Sequence, residues 1–215
     1  MHGSLVAAHP SVGPHLDART GAQRARLLEG FTQAVAEKGY ADATVTDAVR
    51  AARVSRGTFY ALFASKEACF LEAYRHGVEV LEQRIDAAVR SAGGDWRAQL
   101  RAGLRAYLDC LADEPAFART WLLEIHAAGR SAQAARDATL RRFAERYRAS
   151  FEASGAPRVP DDEALFVLAA GVDQLVCARL RAGDLDDLDS LTETLLTCAV
   201  AQLAGANEGG ATGWT

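Results

Sequence analysis

No stretch of the 215-residue chain approaches the ~20 consecutive apolar residues that a membrane-spanning helix needs. The N-terminus lacks the charged-then-apolar pattern of a secretory signal. Cysteine is confined to Cys69, Cys110, Cys177 and Cys198, none close in sequence, and neither a CxxC pair nor a His-rich metal spacing occurs. These absences exclude a disulfide framework and a sequence-local zinc site. They lead to the expectation of a cytoplasmic protein with isolated buried thiols and no metal or cofactor. Proline is scarce after the N-terminus and strand-like alternation is missing, so nothing competes with a helical reading. Strong positive charge is lacking too: the net charge is −4, which alone argues against a nucleic-acid partner.

What is present is 49% apolar and 24% charged, dominated by alanine, leucine and arginine. That composition supports a packed all-α fold rather than a disordered chain. The charge is unevenly placed. Residues 1–75 hold nine Lys/Arg against seven Asp/Glu, and residues 76–215 hold fifteen against twenty-one. A mildly basic head on an acidic body is compatible with a DNA contact at one end.

Residues 1–20 show no periodicity and read as a loose arm; an arm lying on DNA through Arg19 and Arg24 is the lesser alternative. From Gly21 the helical period begins, with Leu27, Phe31 and Val35 on one face and a stop at Gly39. A short helix is predicted over 44–52, with Thr44 as cap and Asp47 as its capping-box partner. After a break at Arg53-Val54, Ser55 caps a second short helix through Phe63, with Val54 and Phe59 at the positions of a hydrophobic staple. Ser65 caps a long helix from Lys66 to about Ser91. Further helices are predicted at 95–112, 115–128, 131–154, 161–182 and 187–204, and the tail from Gly205 reads as frayed.

Two short helices joined by a tight turn are the helix-turn-helix plan. On the second, Arg56, Gly57, Thr58 and Tyr60 point away from the apolar side. Arg56 can donate a pair of hydrogen bonds to a guanine edge. Thr58 and Tyr60 can reach phosphate or thymine, and Gly57 would let backbone approach a groove wall. Thr44, Thr46 and Ser55, at the two helix starts, are further candidates for the DNA backbone. Lys66 opens a helix where its charge opposes the helix dipole, which points to a nearby anion and makes it a candidate phosphate clamp. On pattern alone, a plain three-helix subdomain with a solvated face stands equally open.

The run Thr44-Val45-Thr46-Asp47-Ala48-Val49-Arg50-Ala51-Ala52-Arg53-Val54-Ser55-Arg56-Gly57-Thr58-Phe59-Tyr60-Ala61-Leu62-Phe63-Ala64-Ser65-Lys66-Glu67 resembles the DNA-binding head of the TetR/AcrR family of repressors. The strong likeness covers about residues 24–75; beyond it only helix layout and length agree. The resemblance implies an all-α protein with a three-helix helix-turn-helix head, a long connecting helix and a C-terminal helical domain for ligand and dimerisation. The expected organisation is an arm at 1–20, the head at 21–66, the effector and dimerisation domain at 67–204, and a tail at 205–215. One departure is Arg53, where members usually carry glycine. A non-glycine residue in the left-handed conformation costs roughly 1 kcal/mol. Either the turn is reshaped or Arg53 touches phosphate. Some members have a base-reading arginine where Thr46 stands, which shifts the expected base reading toward Arg56.

The helices at 161–182 and 187–204 carry apolar residues on more than one face, among them Leu165, Leu168, Val172, Val176, Leu191 and Leu195. They are expected to pack on their own subunit and on a twin, giving a homodimer. Such a dimer presents two recognition helices to a palindromic double-stranded operator at a spacing of roughly 34–36 Å. The middle region combines Tyr107, Phe117, Trp121, Ile125, Phe143 and Tyr147 with Glu124 and Asp173, and is the expected pocket for a small apolar or amphipathic effector. Taken singly, each aromatic is better explained by core packing. Asp173 is expected to meet Arg119, Arg146 or a ligand donor. Other readings are a regulator without an effector, an activator, or a helical scaffold. An enzyme is not expected, because neither Glu124 with His126 nor Asp109 with Cys110 forms a nucleophile–base–orienter set.

Overall fold

The computed structural model of the protein describes residues 18–93, 95–153 and 159–208, and every regular element among them is helical. The head comprises α1 (Ala18–Lys38), α2 (Val45–Ala52) and α3 (Arg56–Leu62), followed by the long α4 (Lys66–Ala92). Beyond it come α5 (Trp96–Asp113), α6 (Pro115–Leu122), a 3-10 turn at Glu124–Ala127, α7 (Arg130–Ala153), α8 (Asp162–Ala182), a second 3-10 turn at Leu185–Ser190, and α9 (Leu191–Glu208). Most of the expected arm, the tail beyond 208 and the break at 154–158 lie outside the described residues.

Three elements differ from expectation. α1 begins at Ala18, so the last residues assigned to the arm are helical. The single helix predicted at 115–128 is two elements, because the last turn tightens to 3-10 before Gly129 and buries Ile125. The predicted start of the last helix at 187 is also 3-10. That segment is rich in aspartate by sequence, a composition that disfavours a regular α-helix. α9 therefore starts at Leu191 and runs four residues past the expected end.

The chain divides into two compact units. The first joins the residues up to Glu82 with Asp113–Arg136, and the second joins Gln83–Ala112 with the residues from Asp137 onward. The division thus falls inside α4 and α7 and not at the expected 66/67 boundary. In the first unit Leu27, Leu28, Phe31, Phe59, Phe70, Leu122 and Ile125 are fully buried. α1 and α2 approach so closely that a Cβ on Gly30 would sit 2.7 Å from the Ala51 Cβ. In the second unit Leu108, Leu111, Phe151, Leu165 and Val176 form the core, and the Tyr107 and Phe143 rings meet edge to face at 6.1 Å. Among the described residues no helix is long and apolar enough to cross a membrane.

Candidate nucleic-acid interface

The frame of the interface is set by local chemistry. Thr44 caps α2: its hydroxyl accepts from the Asp47 N–H at 3.3 Å, and the Asp47 carboxylate accepts from the Thr44 N–H at 3.0 Å. The Thr44 hydroxyl proton goes to the same carboxylate at 2.7 Å, and Lys38 donates to it at 2.6 Å. Lys38 first, then Thr44, hold the Asp47 carboxyl well below the usual carboxylate range. Ser55 caps α3, accepting from the Thr58 N–H at 2.9 Å.

Between the two caps stands Arg53, in the left-handed region at φ 53° and ψ 49°. The turn keeps its shape and the arginine carries the strain. Its N–H donates to the Arg50 carbonyl at 3.3 Å, and the Val54 N–H donates to the Val49 carbonyl at 3.1 Å. Those two bonds satisfy carbonyls at the end of α2 in the manner of a Schellman cap. From α1, the Arg26 Nε donates to the Ala52 carbonyl at 3.1 Å.

α3 turns Phe59 inward, fully buried, with its ring 5.5 Å from that of Phe63. Arg56, Gly57 and Tyr60 are exposed, Tyr60 to 53%, and Thr58 is half-buried beside Ser55. A Cβ on Gly57 would meet only the Ser55 hydroxyl, at an ordinary 3.5 Å. The protein's own packing therefore does not require glycine there. Arg56 Nη1 donates to the exposed Thr46 hydroxyl at 3.5 Å, so these two expected contact residues share one face.

One expected phosphate contact, Lys66, and one residue of the lesser arm alternative, Arg24, are engaged elsewhere. Lys66 Nζ donates to the carbonyls of Tyr40, Ala41 and Ala43 at 3.0, 3.2 and 3.2 Å, and lies 4.5 Å over the Tyr40 ring. All three ammonium protons are bound to the α1–α2 turn, so the partner that offsets the unfavourable helix dipole is a set of carbonyls, not an external anion. Arg24 forms a two-point pair with Glu72 and lies over Phe63, which makes it a brace between α1 and α4.

The sequence model of bacterial regulatory proteins, tetR family, matches residues 27–73, the segment that builds this frame. That segment is similar to the DNA-binding head of the TetR family. The HTH-type transcriptional regulator EthR of Mycolicibacterium smegmatis is 33% identical over 112 residues, which cover 52% of this chain and 48% of that protein. The chain thus matches about half the length of this relative. The fold matches FadR of Bacillus subtilis, solved in complex with stearoyl-CoA, at a TM-score of 0.72 and 17% identity, over 81% of this chain and 96% of that one. FadR of Bacillus halodurans matches at 0.73 and 19% identity, over 88% and 96%.

The eight residues expected to line an effector pocket fall four to each compact unit. In the first, Phe117, Trp121 and Ile125 are buried, with the Phe117 and Trp121 rings 5.1 Å apart and Tyr74 edge-on to Trp121 at 6.1 Å. A Cβ on Gly77 would strike the Phe117 ring at 2.0 Å, so α4 must be bare at that point. Glu124 accepts from the Tyr40 N–H at 2.8 Å, a role that no local signal announces. In the second unit, Tyr107 is buried against Phe143, and burial pushes the Tyr147 phenol above its ordinary value. Asp173 is buried and accepts from the Cys177 thiol at 3.8 Å. Arg146 forks onto Asp86 at 3.1 and 3.2 Å, and Arg119, the other expected partner of Asp173, is exposed in the first unit. Among the described residues no group of His, Cys, Asp and Glu is arranged to hold a metal ion.

Proposed function

We propose that the protein is a transcriptional repressor that binds a palindromic operator as a homodimer and is released by a small apolar or amphipathic ligand. The observation that carries the DNA half is the outward set on α3: Arg56, Gly57 and Tyr60 are exposed on a helix whose two flanking caps are fully made. Arg56 reads a base edge, while Tyr60, Thr58 and Arg53 lie within reach of the phosphates on either side. Lys66 and Thr44 support the frame.

Dimerisation through α8 and α9 is supported by their exposed positions. On α8 these include Val167, 63% exposed, with Gly171, Gln174 and Ala178 at helical spacing. A Cβ on Gly171 would meet nothing within 4 Å. On α9 Thr194, Thr197, Cys198 and Ala201 are exposed and uncharged. Small uncharged stripes let two helices approach closely across an interface.

Release by a ligand is a population shift: a molecule that binds better when α4 is displaced draws the dimer away from the operator-competent shape. A fold of this kind accommodates an amphipathic ligand in FadR of Bacillus subtilis, whose structure holds stearoyl-CoA. The deciding experiment selects duplexes from a random pool with the purified protein and measures affinity against salt. A steep fall with salt is expected. Arg56→Ala should flatten sequence preference at one base position of each half-site while leaving affinity for unrelated duplexes nearly unchanged. A selected pool without a two-fold repeat, or an Arg56→Ala variant that selects the parent's sequence, would overturn the reading.

A further inference from the structure

Glu124 and Lys66 reach the same turn, residues 39–43 between α1 and α2, from two different elements and with opposite charges. α1 ends at Gly39, whose φ of 81° is left-handed and whose N–H donates to the Val35 carbonyl at 2.8 Å. The next N–H, that of Tyr40, points to the Glu124 carboxylate at 2.8 Å. The carbonyl of the same residue accepts from Lys66, and its ring lies under that ammonium and edge-on to Phe70 at 4.9 Å. Tyr40 is therefore fixed at its N–H, its carbonyl and its ring.

The carboxylate comes so close that a Cβ on Gly39 would lie 3.2 Å from Glu124 Oε2. The segment that carries Glu124 is itself anchored. Its neighbour Ile125 is fully buried, and on α6 the Thr120 hydroxyl donates to the Thr32 carbonyl of α1 at 3.1 Å. The turn leads directly into the Thr44 cap, and so into α2 and α3.

We propose that Glu124 is a positioning residue for DNA recognition: its carboxylate fixes the α1–α2 turn, and operator affinity depends on it although it touches no DNA. This rests on the operator-binding reading above. A hydrogen bond to a charged acceptor is worth about tenfold in an equilibrium. The anion on the N–H and the cation on the carbonyl of one residue oppose any rotation of the chain between α1 and α2.

The test uses the full chain, a duplex that the parent selects from a random pool, and the variants Glu124→Ala and Glu124→Gln. Glu124→Ala is expected to weaken binding about tenfold. The slope of affinity against salt should match the parent's, because no phosphate contact is removed. Hydrogen exchange at the Tyr40 amide should accelerate while amides in α5 and α8 keep their protection. Glu124→Gln, whose amide oxygen still accepts, should recover most of the affinity. Parent-like binding by Glu124→Ala, an unchanged Tyr40 amide, or protection lost throughout the chain would each overturn the proposal. If the parent selects no duplex, the operator reading fails and the DNA role of Glu124 fails with it. Exchange at Tyr40 would then report separately whether the turn clamp exists.

Discussion

Lys66 shows how a single residue changes meaning once its surroundings are known. In the sequence it is a cation at a helix start, where the dipole disfavours it, and a phosphate is the simplest compensation. In the fold the compensation is internal, through three backbone carbonyls and an aromatic face. Lys66→Met keeps the stem and removes the donors. It should lower head stability by roughly 1–2 kcal/mol, read from thermal melting, and leave the salt slope of DNA binding at the parent's value. A slope reduced by about one would restore the phosphate clamp instead. Arg53 is the converse case: the family likeness raised its strain as one of two alternatives, and the structure localises it in a single φ of 53°. Arg53→Gly should stabilise the protein by roughly 1 kcal/mol in urea titration. If the exposed guanidinium meets DNA as proposed, the same variant should lower the salt slope by about one.

At the scale of elements, what was legible is what local chemistry decides. The caps at Thr44, Ser55 and Ser65 are all made by their own side chains, as the Thr-x-x-Asp and Ser spacings predict. The burial of Leu27, Phe31, Val35 and Phe59 follows from periodicity. The two 3-10 turns were not legible, since neither contains a glycine or proline to mark it, and no spacing rule brings Glu124 to Tyr40 across 84 residues. The α2 cap gives a test at this scale. Thr44→Ala should cost about 1 kcal/mol. The Asp47 carboxyl is depressed in the fold, mainly by Lys38, so its contribution is complete above the unfolded carboxylate pKa and is lost only as pH falls through its lower folded value. Near pH 4 the folded cap should therefore still be charged. Side-chain titration by NMR should show Asp47 protonating below the usual carboxylate range, and Lys38→Met should move it upward.

For the whole molecule, the exposed α8 stripe sets the expected assembly. Gly171→Arg places a long charged side chain where a Cβ meets nothing within the chain. Sedimentation should report a folded monomer with weakened operator binding, whereas an unchanged dimer would place the interface elsewhere. The all-α class was readable from composition and periodicity, but the division into units was not, because it depends on contacts between segments far apart in sequence. The first compact unit consists of two stretches separated by residues 83–112. Thr120 bonds to Thr32 and Glu124 to Tyr40, so the helix-turn-helix lacks part of its support until residues well beyond α4 exist. On a ribosome adding about 5–20 residues each second, this head emerges seconds before the segment that completes it. During synthesis the nascent head must wait, with the Phe117 site against Gly77 still empty, and acquires its final rigidity only when α6 and the turn after it arrive.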